Sequence, residues 1–160
     1  MNSNVQAPPT CPVVLVADDD ARVRAYISTV LRTRSVRVVE AADGVDALTV
    51  FHAYNGKVDL VITDIKMPRM TGIELAASLR SMCPSIPLIF VSGEPAPRAR
   101  RDAASRFIFI EKPFAPAAML EAFQQCLEWT LNAQSAPWPA MDGQTQPRLE
   151  TSHRPTGGRG

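Results

Sequence analysis

The sequence predicts an α/β protein built on a doubly wound, five-stranded parallel sheet with helices on both faces. Short runs rich in Val, Ile and Phe alternate with amphipathic stretches of helical length, the pattern of repeated strand–helix units. Four of the five short runs are nearly continuous in apolar character, as strands buried on both faces require. Carboxylates, a hydroxyl and an ammonium group recur just after these runs, and in such a sheet the carboxyl ends of the strands are where ligands bind.

The strand candidates are VVLVA (13–17), VRVVEA (36–41), VDLVIT (58–63), PLIFVS (87–92) and FIFIE (107–111). The second alternates most and suits an edge. The first helix is expected over 21–33, with Val23, Ile27, Val30 and Leu31 on one stripe. The second spans 44–54, with Val45, Leu48 and Phe51 inward, and the third 72–82, with Ile73, Ala76 and Leu79. A fourth, over 96–105, has a weak, alanine-rich and basic pattern preceded by Pro95 and Pro97. The fifth, over 116–131, is strong, with Met119, Leu120, Phe123, Leu127 and Leu131 on its stripe and Pro116 well placed at its start. Crossovers between parallel strands should be right-handed.

A chain of 160 residues suggests one domain, here 12–131, long enough to bury a core without staples. Residues 1–11 are a polar lead-in with Pro8-Pro9. Residues 132–160 are rich in Pro, Gly and polar side chains and lose all periodicity, so a disordered tail is expected there. A net charge of +1 supplies no bulk field toward nucleic acid or membrane. No apolar run approaches the roughly 20 residues of a membrane helix, and the start has no secretory signal pattern. Cys11, Cys83 and Cys126 are scattered, with no CxxC, which suggests reduced thiols and a cytoplasmic location.

The chemistry gathers at the strand ends. Asp18, Asp19 and Asp20 follow the first strand, Asp64 the third, Ser92 and Glu94 the fourth, and Lys112-Pro113 the fifth. Clustered carboxylates repel one another but make a good site for a hard cation such as Mg²⁺, which often shares its shell with a phosphate. The implied reaction is phosphoryl transfer. Asp64 would be the carboxylate nucleophile, with the metal and Lys112 stabilising charge on the transferring oxygens and Ser92 the hydroxyl at hand.

These residues, in order and at these spacings, resemble the receiver domain of two-component response regulators over about residues 12 to 131. The resemblance rests on the acidic pair after strand one, Asp64 in DIKMPRMTG, Ser92, and Lys112-Pro113 in EKPF. It implies the flavodoxin-like strand order 2-1-3-4-5. It makes Asp64 the phosphoacceptor, and Asp18, Asp19, Asp64 and the backbone carbonyl of Lys66 the protein's share of a Mg²⁺ shell. Ser92 and Phe109 take the switch positions, Lys112 pairs with the phosphoryl group, and Lys112-Pro113 would be cis. Gly72 would relieve the backbone where the loop re-enters a helix. Lys66 and Glu94 take positions that modulate access to the phosphoryl group, and they can pair across the mouth. The implied partners are a sensor histidine kinase or histidine phosphotransfer protein, and a downstream protein that meets the face of the fourth helix, fifth strand and fifth helix. Direct DNA binding and a membrane role are not expected. The chain is read as a single-domain regulator, catalytic only in its own phosphorylation and dephosphorylation.

Each piece alone has a plain structural reading. Aspartates at a helix start favour the dipole, and Asp20 is expected to cap the helix at Ala21. An Asp after a strand is a common turn residue, a Lys-Pro is loop punctuation, and Phe109 is first a core residue. The basic run RARR (98–101) reads as a solvated helix face, Trp129 as cover for its neighbours, and His52 and His153 have no metal spacing. Three alternatives stand beside the main reading. One is a Mg²⁺-dependent phosphohydrolase using Asp18 as nucleophile with Asp20 two residues on. Another is a receiver-like binding module that is never phosphorylated. The last is a receiver segment of a larger histidine kinase, which the Met1 lead-in and polar end make less expected.

Overall fold

A computed structural model of the chain describes residues 11–94 and 106–133. The predicted fourth helix with its RARR run, residues 1–10 of the lead-in and residues 134–160 of the tail lie outside the described residues. Within them the order is β1 (Val13–Ala17), α1 (Ala21–Leu31), β2 (Arg37–Ala41), α2 (Gly44–Ala53), β3 (Leu60–Asp64), α3 (Gly72–Met82), β4 (Leu88–Ser92), β5 (Phe107–Glu111) and α4 (Pro116–Ala133). The last helix is therefore the predicted fifth. All five strands are parallel, in the order β2-β1-β3-β4-β5.

The alternation of side chains along each central strand feeds two separate cores. Val14, Val16, Leu60, Ile62, Ile89 and Val91 point to one face, against Ile27, Val30 and Leu31 of α1 and Met119, Phe123 and Cys126 of α4. Leu15, Ala17, Val61, Leu88 and Phe90 point to the other, against Ala47 and Phe51 of α2 and Leu75 and Leu79 of α3. Each fully buried aliphatic side chain contributes about 1.5–3 kcal/mol. β3 and β4 are buried along their whole length, which explains the apolar runs that precede their polar ends, Thr63-Asp64 and Ser92. β2 is an edge, as its alternation indicates. β5 is the opposite edge, so its Phe-Ile run is only half-buried despite reading like a central strand.

The helix stripes are rotated from those the large apolar residues suggest. Val45, Ile73 and Leu131 are 37%, 46% and 68% exposed, while Ala47, Leu75, Ala76, Ala122 and Cys126 face inward. Several of these inward side chains are small, and a pattern weighted by side-chain size turns away from them. Trp129 packs partly buried on the α1–α4 core, as a cover for its neighbours. Cys11, Cys83 and Cys126 are free, and burial pushes the Cys126 thiol up to about 12.

This order reverses direction at β1: β2 lies on one side of it and β3 on the other. The carboxyl ends of β1 and β3 thus flank the crevice where such sheets bind ligands, and both ends carry aspartates.

Candidate functional site

At the end of β1 the chain turns into α1, and the three aspartates separate by role. Asp20 is the N-cap of α1: its Oδ1 accepts from the Arg22 amide at 2.8 Å, and the Arg22 guanidinium pairs with it at 3.2 Å. With that use Asp20 stands apart from the carboxylates that gather at this edge. Asp18 is buried, at 1% exposure. Its Oδ1 accepts from the Asp20 amide at 2.9 Å, and its carbonyl accepts from Arg24 Nη1 at 2.6 Å. Arg24 also faces Glu40 of β2 at 3.6 Å, and Glu40 accepts from the buried Ser28 hydroxyl at 2.7 Å. The turn that presents the acidic pair is thereby braced to both α1 and β2. Asp19 is exposed at the mouth.

Asp64 ends β3 with 9% exposure, and its Oδ1 accepts from the Ile65 amide at 2.8 Å. Lys112 directly follows β5. Its amide donates to the Ser92 carbonyl at 2.7 Å, which ties the ends of β4 and β5 together. Its ammonium lies 2.7 Å from Asp18 Oδ2 and 3.6 Å from Asp64 Oδ2, so one cation bridges two strand ends. The Lys112-Pro113 peptide bond is cis. Carboxylate oxygens of Asp18, Asp19 and Asp64 lie within 4.8 Å of one another. Burial raises the Asp64 carboxyl above its ordinary value, and the charges of Asp18 and Asp19 add to this, while Lys112 and the Ile65 amide oppose it. The cluster therefore carries more negative charge than Lys112 neutralises, and its hard oxygen donors suit a small divalent cation.

The remaining predicted residues frame this centre. The buried Ser92 hydroxyl accepts from the Glu94 amide at 3.1 Å. Glu94 and Lys66 form an exposed ion pair across the mouth. Phe109 stacks on Phe90 with centroids 5.0 Å apart and meets Phe107 edge-on at 5.4 Å. Its ring is thus part of an aromatic group beside the α2–α3 core.

Gly72 proves necessary for closeness, not for backbone freedom. The loop after Asp64 folds back so that the Gly72 amide donates to the Ile65 carbonyl at 2.9 Å. A Cβ on Gly72 would lie 2.0 Å from the Asp64 carbonyl oxygen. Gly72→Ala should cost about 1–3 kcal/mol by forced displacement and shift the Asp64 backbone with it. Thermal unfolding and the Asp64 amide resonance check this.

Several supporting residues escaped the sequence reading. Thr71 and Glu74 form a capping box that starts α3, with the Thr71 amide donating to Glu74 at 2.9 Å and the Glu74 amide to Thr71 at 3.2 Å. Its T-x-x-E spacing is a readable signal. Arg24, and the pair of Asp43 with Arg69, have no local signature.

A model of the response regulator receiver domain family matches residues 14–124. The chain belongs to this family. Among curated proteins it is 40% identical over 118 residues to sensor kinase CckA of Brucella abortus, covering 72% of this chain and 12% of that one. It is 30% identical over 122 residues to the transcriptional regulatory protein YbdJ of Bacillus subtilis, covering 72% of this chain and 50% of that one. The receiver domain thus spans half or less of these two relatives. Among solved structures, the chemotaxis response regulator CheY4 of Vibrio cholerae superposes with a TM-score of 0.63 at 30% identity, over 73% of this chain and 99% of that one. The receiver domain of hybrid histidine kinase CckA gives 0.62 at 30% identity, over 72% and 98%. These likenesses agree with the observed strand order. No helix among the described residues is long and apolar enough to cross a membrane.

Proposed function

We propose that this receiver domain accepts a phosphoryl group on Asp64. The observation that carries the reading is the convergence of Asp18, Asp19, Asp64 and Lys112 at the β1/β3 switch point. An Asp64 carboxylate oxygen would attack phosphorus of a phosphohistidine as the P–N bond breaks, the imidazole nitrogen keeping the electron pair and taking a proton. Lys112 Nζ, 3.6 Å from Asp64 Oδ2, would hold a phosphoryl oxygen. The carboxylates of Asp18, Asp19 and Asp64 fit Mg²⁺, and the Lys66 carbonyl is assigned as a further donor. When bound, this cation supplies charge stabilisation on the transferring oxygens.

The new charge would draw on Ser92 and Lys112, with Phe109 answering by repacking against Phe90 and Phe107, a local electrostatic event that biases a two-state element. The proposed donors are a sensor histidine kinase or a histidine phosphotransfer protein. The proposed output is contact with a downstream protein or onward relay, in the cytoplasm, with no reaction beyond the domain's own phosphorylation and dephosphorylation. The 40% identity to sensor kinase CckA supports a second context, the receiver segment of a hybrid kinase, which uses the same site. Phosphoramidate, a small P–N donor, tests the site: with Mg²⁺ it should label the wild type, and equal labelling of Asp64→Asn would overturn the assignment.

The exposed Lys66–Glu94 pair contributes little to stability, about 0–1 kcal/mol, so its role is kinetic. Glu94→Ala should leave the melting temperature nearly unchanged and shorten the lifetime of the phosphorylated form several-fold by opening the mouth to water. Decay of the label after donor removal measures this.

A further inference from the structure

The segment between Asp64 and α3 carries Lys66, and its attachment to α2 has no part in the roles assigned above. Arg69 sits at its turn with φ 63°, a left-handed conformation that residues bearing a Cβ adopt rarely. Its guanidinium reaches Asp43, the N-cap of α2, whose side chain is 6% exposed. Oδ1 of Asp43 accepts from the amides of Val45 and Asp46, both at 2.9 Å. Oδ2 accepts from Arg69 Nε at 2.7 Å and also from Nη2. Both oxygens of a buried carboxylate are thus filled, one by the start of α2 and the other by this loop. The start of α2 touches the loop a second time: a Cβ on Gly44 would lie 2.6 Å from Met70 Cγ and 2.7 Å from the Met70 carbonyl oxygen. Met67 is buried beneath the loop.

We propose that Arg69 is a positioning residue: by clamping Asp43 it fixes the loop of residues 65–71 and so sets the main-chain carbonyl of Lys66 for the divalent cation. A guanidinium fork on a carboxylate is directional as well as attractive. It holds a turn that would otherwise relax from its left-handed conformation. The hydrogen bond donated by the Asp46 amide, and after it those from Arg69, hold the Asp43 carboxyl below its ordinary value, so Asp43 stays a carboxylate across the neutral range. A donor carbonyl on a fixed loop loses less freedom on binding metal than one on a loose loop.

The inference rests on the metal reading of the site, and the test separates the two. Arg69→Asn removes the cation while keeping a residue that tolerates positive φ. Arg69→Lys keeps the charge and loses the fork. Asp43→Asn keeps the capping oxygen and loses the charge. In the full chain without metal, Arg69→Asn should speed amide hydrogen exchange across residues 65–71. Titration with Mg²⁺ should show affinity weaker by about tenfold, with Arg69→Lys intermediate. The Asp43→Asn/Arg69→Asn double variant should be no weaker than the worse single variant. Ile27→Val, which loosens the core on the opposite face of the sheet, should leave Mg²⁺ affinity unchanged. Unaltered exchange in the loop, or Mg²⁺ affinity within twofold of wild type, would overturn the proposal, as would an equal loss of affinity in Ile27→Val. Faster exchange in Arg69→Asn, with a wild type that takes up no Mg²⁺, would uphold the clamp and overturn the metal reading.

Discussion

Asp64→Asn is expected to abolish phosphorylation and, in the absence of metal, to make the protein more stable. The first effect follows because an amide oxygen does not replace the carboxylate nucleophile. The second follows from the electrostatics of the cluster. Burial and the neighbouring charges of Asp18 and Asp19 raise the Asp64 carboxyl above its ordinary value of 3.8. The folded state therefore holds the proton more tightly than the unfolded state. Below the unfolded value both states are protonated and the site contributes nothing. As pH rises through 3.8 toward the raised folded value, the unfolded state releases its proton first and stability falls. At neutral pH that loss is complete, and asparagine removes it. A higher melting temperature than wild type is expected at pH 7, the difference shrinking to nothing below the carboxylate range. Mg²⁺ should invert the order, because it stabilises the wild type more than the variant. Thermal melts across pH, with and without Mg²⁺, measure both signs. A metal-free variant less stable than wild type at pH 7 would contradict this account of the cluster.

Lys112→Ala should have the opposite effect on stability and a large effect on transfer. Lys112 contacts the Asp18 carboxylate, whose side chain is 2% exposed, at 2.7 Å. Its removal strands a buried charge, which costs about 3 kcal/mol, or about 10 °C in melting temperature. Mg²⁺ should restore part of that loss, since it neutralises the same carboxylates. It should not restore the rate. Losing a preorganised cation from the transferring oxygens is expected to slow labelling by about 100-fold. Melting and labelling rates, each measured at saturating Mg²⁺, separate the two roles. A variant that labels at the wild-type rate would confine Lys112 to holding the apo cluster.

The sheet was legible because its physics is local. Strands buried on both faces are apolar along most of their length, and VVLVA and LIFV show it. The centre of the site was legible for a related reason: every member lies within a residue or two of a strand end, and the topology brings those ends together. What was not legible depends on distance. β5 reads as a central strand, and only pairing order shows it is an edge. Val45 and Ile73 read as inward, because a stripe drawn by side-chain size turns toward them and away from Ala47 and Leu75. Arg24 and Arg69 act through partners on other elements, Glu40 and Asp43. Their roles depend on a backbone turn that no spacing rule announces. Gly72 stood out in the sequence, but the reason for it, the Asp64 carbonyl 2.0 Å from where a Cβ would sit, belongs to the folded loop.

The three aspartates that follow β1 are expected from the sequence to divide by role. Asp20 serves α1, while Asp18 and Asp19 join Asp64 from β3. The most direct test of this arrangement is incubation of the full chain with acetyl phosphate, with and without Mg²⁺, followed by peptide mapping of the modified residue. The account predicts a base-labile phosphoryl group on Asp64, formed with Mg²⁺ and largely lost without it. Modification on Asp18 or Asp19 in place of Asp64, or none under conditions that label a chemotaxis-type receiver, would contradict it.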